Sequence, residues 1–551
     1  MDYSLKIIPL GGLGEIGKNM MAIDYAGDII VIDSGVMFPD EGLPGIDLII
    51  QDITYLKENK DRVKGILITH GHEDHTGALP FTLRELNVPV YAPPLAKGLI
   101  EVKLREHRDL GDVNIYAIEP DQPINLGCFE VSFFRVTHSI PDAMGLAIRT
   151  PLGLIVHTGD FKIDHTPVDG RPTDLTKLAA FGDEGVFLLL SDSTYANVPG
   201  YTPSEKIVGQ ALEQVIANAE GRVMIATFAS LISRIQEILV SADRHNRKVA
   251  FVGRSMVANV NMALKMGYLT SQDGLIITLK ETENIPGNRV VIVTTGSQGE
   301  PTSALVRISN GMHRDIIISA GDTVVISASP IPGNETFVSK TIDNLLRQGA
   351  NVLYDKIALV HVHGHASQEE LKLVLRLVRP YFFVPVHGEH RHLKAHAALA
   401  YSVGVQPENI FILENGDVLE LAKDSGGIVD EVIAGAMYVD GKRIYAMDSA
   451  LLKDRKALSR DGILVIMITR DPKTNTIKEE PKFVSKGFLE EQEEITLKKE
   501  MCDIIAKSLE ESSSQRYDKD IATKNIRERV SGFINQRTRR RPIIIPVISE
   551  A

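Results

Sequence analysis

Val63-Lys64-Gly65-Ile66-Leu67-Ile68-Thr69-His70-Gly71-His72-Glu73-Asp74-His75 is the stretch that decides the fold class. Its first half is an apolar run with β-branched residues and reads as a short buried strand. Its second half gathers three imidazoles and a carboxylate, His70, His72, Asp74 and His75, where the chain leaves that strand at its C-terminal end. In α/β proteins that is where ligands and chemistry are held. Packing alone does not collect Asp and His, because unpaired polar groups are costly in a core and like charges repel. A cation removes both problems. Neutral imidazole nitrogen suits zinc and its neighbours, and carboxylate oxygen suits manganese or magnesium. The plain alternative is a solvated loop rich in His by chance. His-x-His-x-Asp-His directly behind a buried strand speaks against it.

Three further places repeat the pattern of a polar residue at the end of an apolar run. Phe133-Phe134-Arg135-Val136-Thr137 leads to His138, Leu154-Ile155-Val156-His157-Thr158-Gly159 leads to Asp160, and the run from Tyr381 to Val386 leads to His387. Singly, each reads as a structural residue. Together with the first cluster they supply seven candidate ligands. One metal takes three or four protein ligands and keeps a position open for water, so seven suit two metals with one carboxylate shared.

The chain has 551 residues, enough for three or four domains, with no internal repeat and no low-complexity segment. Its net charge of −12 argues mildly against a nucleic-acid partner without excluding one, since a basic channel can coexist with an acidic exterior. Arg537-Thr538-Arg539-Arg540-Arg541, the one dense basic run, reads as a solvated face before it reads as a polyanion contact. Met1-Asp2-Tyr3-Ser4 does not begin a signal peptide, and no apolar run approaches the roughly 18 residues that span a bilayer. Cys128 and Cys502 stand in no metal spacing and fit a reducing cytoplasm. The expectation is therefore a cytoplasmic protein with no membrane partner.

Residues 1–160 read mostly as strands and 200–400 as alternating helix and strand. Thr202-Pro203-Ser204-Glu205 predicts a capping box with Pro at the first helical position. Ile207, Val208, Leu212, Val215 and Ile216 then share one face of the helix, and Gly221 ends it. Asp424-Ser425-Gly426-Gly427 predicts a linker. A small α/β domain follows, with a strand over 462–470, helices near 489–511 and 518–535, and a last strand at 543–547. Gly12-Leu13-Gly14-Glu15-Ile16-Gly17 matches a dinucleotide fingerprint, but that motif needs a following helix. Here Met20 to Tyr25 alternates like a strand, Ala26-Gly27-Asp28 is a turn, and Ile29 to Ile32 is a second strand, so a hairpin is expected.

The ordered set resembles the metallo-β-lactamase fold and, within it, the β-CASP nuclease branch. The signs are Asp33 in Val31-Ile32-Asp33-Ser34-Gly35, the His cluster, His138 and Asp160, then Asp192 in Ser191-Asp192-Ser193-Thr194, His365 in Gly364-His365-Ala366-Ser367-Gln368, and His387. The segments 11–19 and 295–301 and the ending Arg540-Arg541-Pro542 resemble the bacterial ribonuclease J family, and the likeness runs over essentially the whole chain. It implies an α/β fold: a metallo-β-lactamase αββα sandwich over 1–206 and 361–447, an inserted β-CASP domain over 207–360, and a small C-terminal α/β domain over 448–551. It implies one divalent metal on His70, His72, His138 and Asp160, and a second on Asp74, His75, Asp160 and His387, with Asp33 orienting ligands. Zinc is the expected ion, with manganese or magnesium as alternatives for activity.

The resemblance also implies a reaction: metal-assisted hydrolysis of RNA phosphodiesters. The expected mode is 5′-to-3′ exonuclease action preferring 5′-monophosphate ends, with some endonuclease action, in mRNA decay and rRNA processing. His365, Asp74 and Asp192 are the expected catalytic residues, with His365 as donor of the leaving-group proton. The segment His363, Gly364, His365, Ala366 and Ser367 is expected to bind substrate, its N–H groups and the Ser367 hydroxyl cradling a phosphate. A homodimer or homotetramer is expected. Two departures from the family pattern stand out. Leu231 and Ser233 replace Asn and His, and His363 stands where relatives often carry Ser. Two rival readings are a small-molecule metallohydrolase, which needs no inserted clamp, and an RNA-binding scaffold with a dead site, which needs no complete ligand set.

Overall fold

In the computed structural model the described residues are 4–39, 43–107, 109–120, 122–300, 303–328, 330, 334–446, 449–474, 476–489, 491–511 and 518–550. Met1 to Tyr3, Pro301 and the boundary expected at 447–448 lie outside them. The chain forms two compact units, Met1–Phe38 with Ile49–Ala436, and Pro39–Leu48 with Met437–Ala551.

The first unit is built on two facing sheets. One has eight strands in the order Ser425–Glu431, Asp417–Ala422, Leu5–Gly11, Met20–Tyr25, Asp28–Ile32, Val63–Leu67, Val90–Ala92, Ile115–Ala117. The other has six, in the order Phe382–Val386, Val186–Asp192, Gly153–His157, Met144–Thr150, Phe129–Arg135, Ile124–Leu126. Successive strand residues point to opposite faces, and the sequence uses both. Ile30, Ile32 and Leu67 meet Phe133, Leu146, Leu188, Leu190 and Val384 in the core between the sheets. Ile29, Val31 and Ile66 turn outward under the helices Leu79–Leu86 and Pro94–Leu104. On the other side Phe134, Ala147, Leu189 and Phe383 pack under Leu175–Glu184, Gln368–Val378 and His390–Ser402. Helix, sheet, sheet and helix thus stack in the expected αββα order.

Between Asp192 and Phe382 the chain makes an all-parallel sheet in the order Lys248–Val252, Val290–Thr294, Val223–Ala226, Thr323–Ile326, Asn351–Leu353. Both of its faces are covered, which is why its strands are continuous apolar runs.

In the second unit Ile463–Arg470 pairs antiparallel with Ile477–Lys486 and parallel with Ile543–Glu550. Helices Glu491–Glu511 and Lys519–Thr538 cover one face of this sheet with Leu497, Met501, Ile505, Leu509 and Ala522, Ile526, Val530, Ile534, each series at four-residue spacing. The other face leaves Met467, Val484, Ile545 and Val547 exposed. The basic run is tied into this unit: Arg537 pairs with Glu500, and Arg540 donates to the Phe488 carbonyl.

Several expectations need correcting. The described part of the first 160 residues carries four α-helices that alternation arguments passed over, Thr54–Glu58, Glu73–Thr76, Leu79–Leu86 and Pro94–Leu104. The helix expected from Thr202 is Glu205–Asn218, and Ser204 is its N-cap, accepting from Lys206 N. Pro203 lies outside it, because the Thr202 hydroxyl is taken by a tertiary partner. Ile207 is exposed rather than on the packed face. The linker expected at 424–427 is a hairpin, with Ala422 paired to Ser425. Tyr25 pairs with Asp28 across Ala26 and Gly27, both at positive φ, so the dinucleotide-like glycines precede a two-residue hairpin and no helix, as expected.

Candidate metal centre

The strands Asp28–Ile32, Val63–Leu67, Phe129–Arg135, Gly153–His157, Val186–Asp192 and Phe382–Val386 deliver their C-terminal ends to one edge of the sandwich. Asp33, His70, His138, Asp160, Asp192 and His387 sit on or just after those ends. Asp33 and His387 have left-handed backbones, at φ 61° and 53°. Such a conformation is uncommon outside glycine and turns a side chain sharply off the strand direction.

His70 Nε2 lies 2.9 Å from His72 Nδ1, and His138 Nε2 lies 3.1 Å from the same atom. The tautomers follow from the opposite ring nitrogens. His138 Nδ1–H donates to the Gly364 carbonyl at 2.7 Å. The Thr69 hydroxyl donates to Asp33 Oδ2 and so accepts from His70 Nδ1–H at 3.0 Å. Two bare ring nitrogens therefore converge on the nitrogen of a third imidazole. Burial, reinforced by neighbouring imidazoles, holds His70 and His138 well below the usual histidine range, and burial lowers His72 to about 4. Three neutral nitrogen donors aimed at one point form a set that could hold a cation.

A second set is Asp74, His75, Asp160 and His387. His75 Nδ1–H donates to Asp33 Oδ2 at 2.7 Å, and His387 Nδ1–H donates to Asp160 Oδ1 at 2.8 Å. Both rings thus turn Nε2, the nitrogen a cation would take, inward. His75 Nε2 is 3.1 Å from Asp160 Oδ2 and 3.5 Å from Asp74 Oδ2. His387 Nε2 is buried without a hydrogen-bond partner, 3.6 Å from Asp74 Oδ2. Asp160 Oδ2 also lies 3.7 Å from His70 Nε2 and 3.9 Å from His138 Nε2, so it stands between the two sets. Burial opposes charge on His75 and His387, but the surrounding carboxylates outweigh it and raise both. Burial would likewise raise Asp74 and Asp160, and the facing imidazoles lower both instead. All seven residues expected from the sequence as ligands are brought together.

His365 and Asp192 lie beside these sets. Asp192 Oδ2 accepts from His365 Nδ1 at 2.8 Å, while Asp192 Oδ1 accepts from Thr194 N and Oγ1. Burial disfavours charge on His365, yet Asp192 and Asp160 raise it to about 9. Asp192 holds a proton on Nδ1 of the ring, and Nε2 is directed away from Asp192. Gly364 fits its place because a Cβ there would come within 2.6 Å of the His138 ring.

The expected phosphate cradle is only partly open. Ser367 is buried, its N–H donates to Glu370 Oε2, and its hydroxyl contacts that of Thr202. Those two groups are thus used internally, with a carboxylate beside them. Ala366 is also buried. His363 is stacked on Tyr195 at a ring separation of 3.7 Å and 9° between planes, and its Nδ1–H donates to the His365 carbonyl. Of the two replaced positions, Leu231 is buried, whereas Ser233 lines a cleft with His138, Ser139 and Arg171.

Sequence reasoning passed over Asn19, whose Nδ2 donates to the Asp74 carbonyl and lies 3.2 Å from His75 Nε2. The signal was the glycine-rich loop that carries it, which packs on Gly388 beside His387. His157, Tyr195, Thr202 and Glu370 were also missed as neighbours of the site.

Over 544 residues the chain is 44% identical to ribonuclease J 1 of Streptococcus pyogenes serotype M3, spanning 98% of this chain and 97% of that one. It belongs to the ribonuclease J family. Ribonuclease J2 of Bacillus subtilis is 40% identical over 548 residues, 99% of each chain. The family's domains match in order: a beta-lactamase superfamily domain at 30–180, the ribonuclease J beta-CASP domain at 220–345, a Zn-dependent metallo-hydrolase RNA specificity domain at 350–412, and the ribonuclease J C-terminal domain at 450–551. A protein of unknown function from Enterococcus faecalis V583 shares the fold at a TM-score of 0.53 and 16% identity, covering 76% of this chain and all of that one. Six of the seven clustered side chains lie in the beta-lactamase superfamily domain, and His387 lies with His365 in the RNA specificity domain.

Proposed function

We propose that this metal-dependent ribonuclease degrades RNA from the 5′ end, prefers a 5′-monophosphate and also cleaves internally, in mRNA decay and rRNA processing in the cytoplasm. The observation that carries the reading is the pair of ligand sets with Asp160 Oδ2 standing between them, and a proton-bearing His365 beside them. His70, His72, His138 and Asp160 would hold one divalent cation, and Asp74, His75, Asp160 and His387 a second, zinc by preference for the nitrogen-rich set. Bound there, such ions neutralise charge developing on a phosphate and lower the pKa of water.

The chain's own residues supply the rest. Asp33 and Asp160 fix the tautomers of His75 and His387. Asp74, partly exposed and with Glu73 and Lys103 paired beside it, accepts the proton of the attacking water. Asp192 holds His365 as an imidazolium, and Nε2–H protonates the departing 3′ oxygen. Imidazole is suited to that step near neutral pH. Of the expected substrate segment, His363, Gly364 and His365 retain the role of meeting the RNA. The working division of the chain is 1–206, 207–360, 361–447 and 448–551, and the C-terminal domain joins copies into a homodimer or homotetramer.

Two measurements test the reading. RNA bearing a 5′-monophosphate, triphosphate or hydroxyl is incubated with the protein and Mn²⁺ or Mg²⁺, and the products are identified. Equal rates on monophosphate and triphosphate ends would remove the end preference. Single-turnover cleavage by His365→Ala is then compared on RNA with an ordinary 3′ oxygen and with a 3′-bridging sulfur, which leaves without protonation. The expected loss is roughly 10²–10⁴-fold on oxygen only. Equal losses on both, with metals intact, would dismiss His365 as the acid.

A further inference from the structure

Where the chain leaves the lactamase-type sheets and where it returns, a fully buried carboxylate ties the two crossings together. Glu370 Oε1 accepts from Ile163 N at 2.7 Å, and Oε2 accepts from Thr202 N at 2.7 Å and Ser367 N at 2.8 Å. Ile163 lies three residues beyond Asp160, Thr202 lies on the outgoing crossing, and Ser367 lies two residues beyond His365. A glutamate in the first turn of helix Gln368–Val378 needs only the Ser367 N–H to act as a cap. The contacts to Ile163 and Thr202 reach out of the helix to two other segments. Thr202 continues the chain of contacts, because its hydroxyl donates to the His365 carbonyl at 2.8 Å. The Lys162 ammonium donates to the Pro203 carbonyl and places a positive charge near the buried carboxylate.

We propose that Glu370 is a positioning residue for leaving-group protonation: by holding Ile163, Thr202 and Ser367 it sets the His365 backbone against Asp160 and Asp192. The proposal rests on the reading of His365 as the proton donor. An Asp or Glu side chain offers two acceptor oxygens and no donor. Glutamine in the same place turns one of them into an NH₂ group, so at least one of the three buried N–H groups faces a donor.

The test is Glu370→Gln in the full chain, with single-turnover cleavage measured on 3′-oxygen and 3′-bridging-sulfur RNA, alongside substrate affinity and metal content. Displacing a catalytic group by about 1 Å can slow a reaction on the order of 10²-fold. The expected result is a loss of roughly 10–100-fold on the oxygen substrate. Affinity and metal content should stay as in the unsubstituted protein, and the loss should largely vanish on sulfur. In the His365→Ala background, Glu370→Gln should add nothing, as expected of residues acting through one group.

Equal losses on both substrates, or lost metal, would overturn the proposal, since the effect would then run through Asp160 or through general structure. Wild-type rates on oxygen would overturn it as well. If His365→Ala is rescued by sulfur and Glu370→Gln is not, the positioning role alone fails. If His365→Ala is not rescued, the proton-donor reading fails and takes this one with it. Should Glu370→Gln not fold, Thr202→Val removes only the hydroxyl that donates to His365, and the same oxygen-specific loss decides.

Discussion

Asp33→Asn should weaken one of two metal equivalents without unfolding the protein. Asp33 is buried at the end of strand Asp28–Ile32, and its carboxylate accepts from Thr69 N at 2.8 Å, the Thr69 hydroxyl at 2.9 Å and His75 Nδ1 at 2.7 Å. Because a carboxylate only accepts, Asp33 keeps a proton on His75 Nδ1 and turns Nε2, the nitrogen a cation would take, toward Asp74 and Asp160. Asparagine matches aspartate in size and tolerates the φ of 61°, so the substitution adds no backbone strain. With its NH₂ on the Oδ2 side, it presents a donor to His75 Nδ1 and drives the proton to Nε2, the atom that would meet the cation. With NH₂ on the Oδ1 side, it confronts Thr69 N–H and leaves a buried donor unpaired, at about 1–3 kcal/mol. Loss of such an outer partner typically lowers metal affinity about 10–100-fold, or roughly 1.4–2.7 kcal/mol. The assay is titration of metal-stripped protein with Zn²⁺ against a competing chelator. One equivalent should weaken by that factor, while the His70, His72 and His138 set keeps its affinity. Unchanged affinity for both equivalents would refute the tautomer argument.

Two further outcomes are expected. Burial and the Glu205 carboxylate push Glu237 up to about 8, so the folded protein holds a proton there that the unfolded chain releases near 4.5. Stability should therefore fall between those pH values by up to roughly 5 kcal/mol, and Glu237→Gln should be more stable than the parent at pH 9 but equal at pH 4. Urea midpoints at both pH values check it, and the same difference at both would count against it. Removing residues 450–551 takes away the apolar sheet face of Met467, Val484, Ile545 and Val547. The remainder should be a smaller assembly by light scattering, and unchanged order would dismiss that face as the contact.

The ligand residues were legible because the segment that carries each follows an apolar run. The same logic exposed the hairpin behind the decoy glycines. It failed at Thr202, where a local rule met a tertiary one: the residue has the chemistry of a cap, but its hydroxyl is bonded to the His365 carbonyl, and Ser204 caps instead. It failed again at Ser367, read as open to a phosphate and found facing Glu370. Glu370 itself was invisible, since a glutamate three residues after a serine reads as an ordinary helix start. Contacts between segments some 200 residues apart leave no periodicity to read.

The two candidate cation sets differ in chemistry, and the difference follows from how each is buried. His70, His72 and His138 face one another with Asp160 Oδ2 beside them, and burial outweighs the pull of the carboxylates and keeps them neutral. The second set places two carboxylates among His75 and His387, so its imidazoles are drawn toward protonation, and a cation must displace those protons to bind. A nitrogen-rich set suits zinc, and a set with two carboxylates suits manganese or magnesium as well. Asp160, with one oxygen bonded to His387 and the other lying between the sets, couples them. Occupancy of one set therefore alters the charge that the other must accommodate.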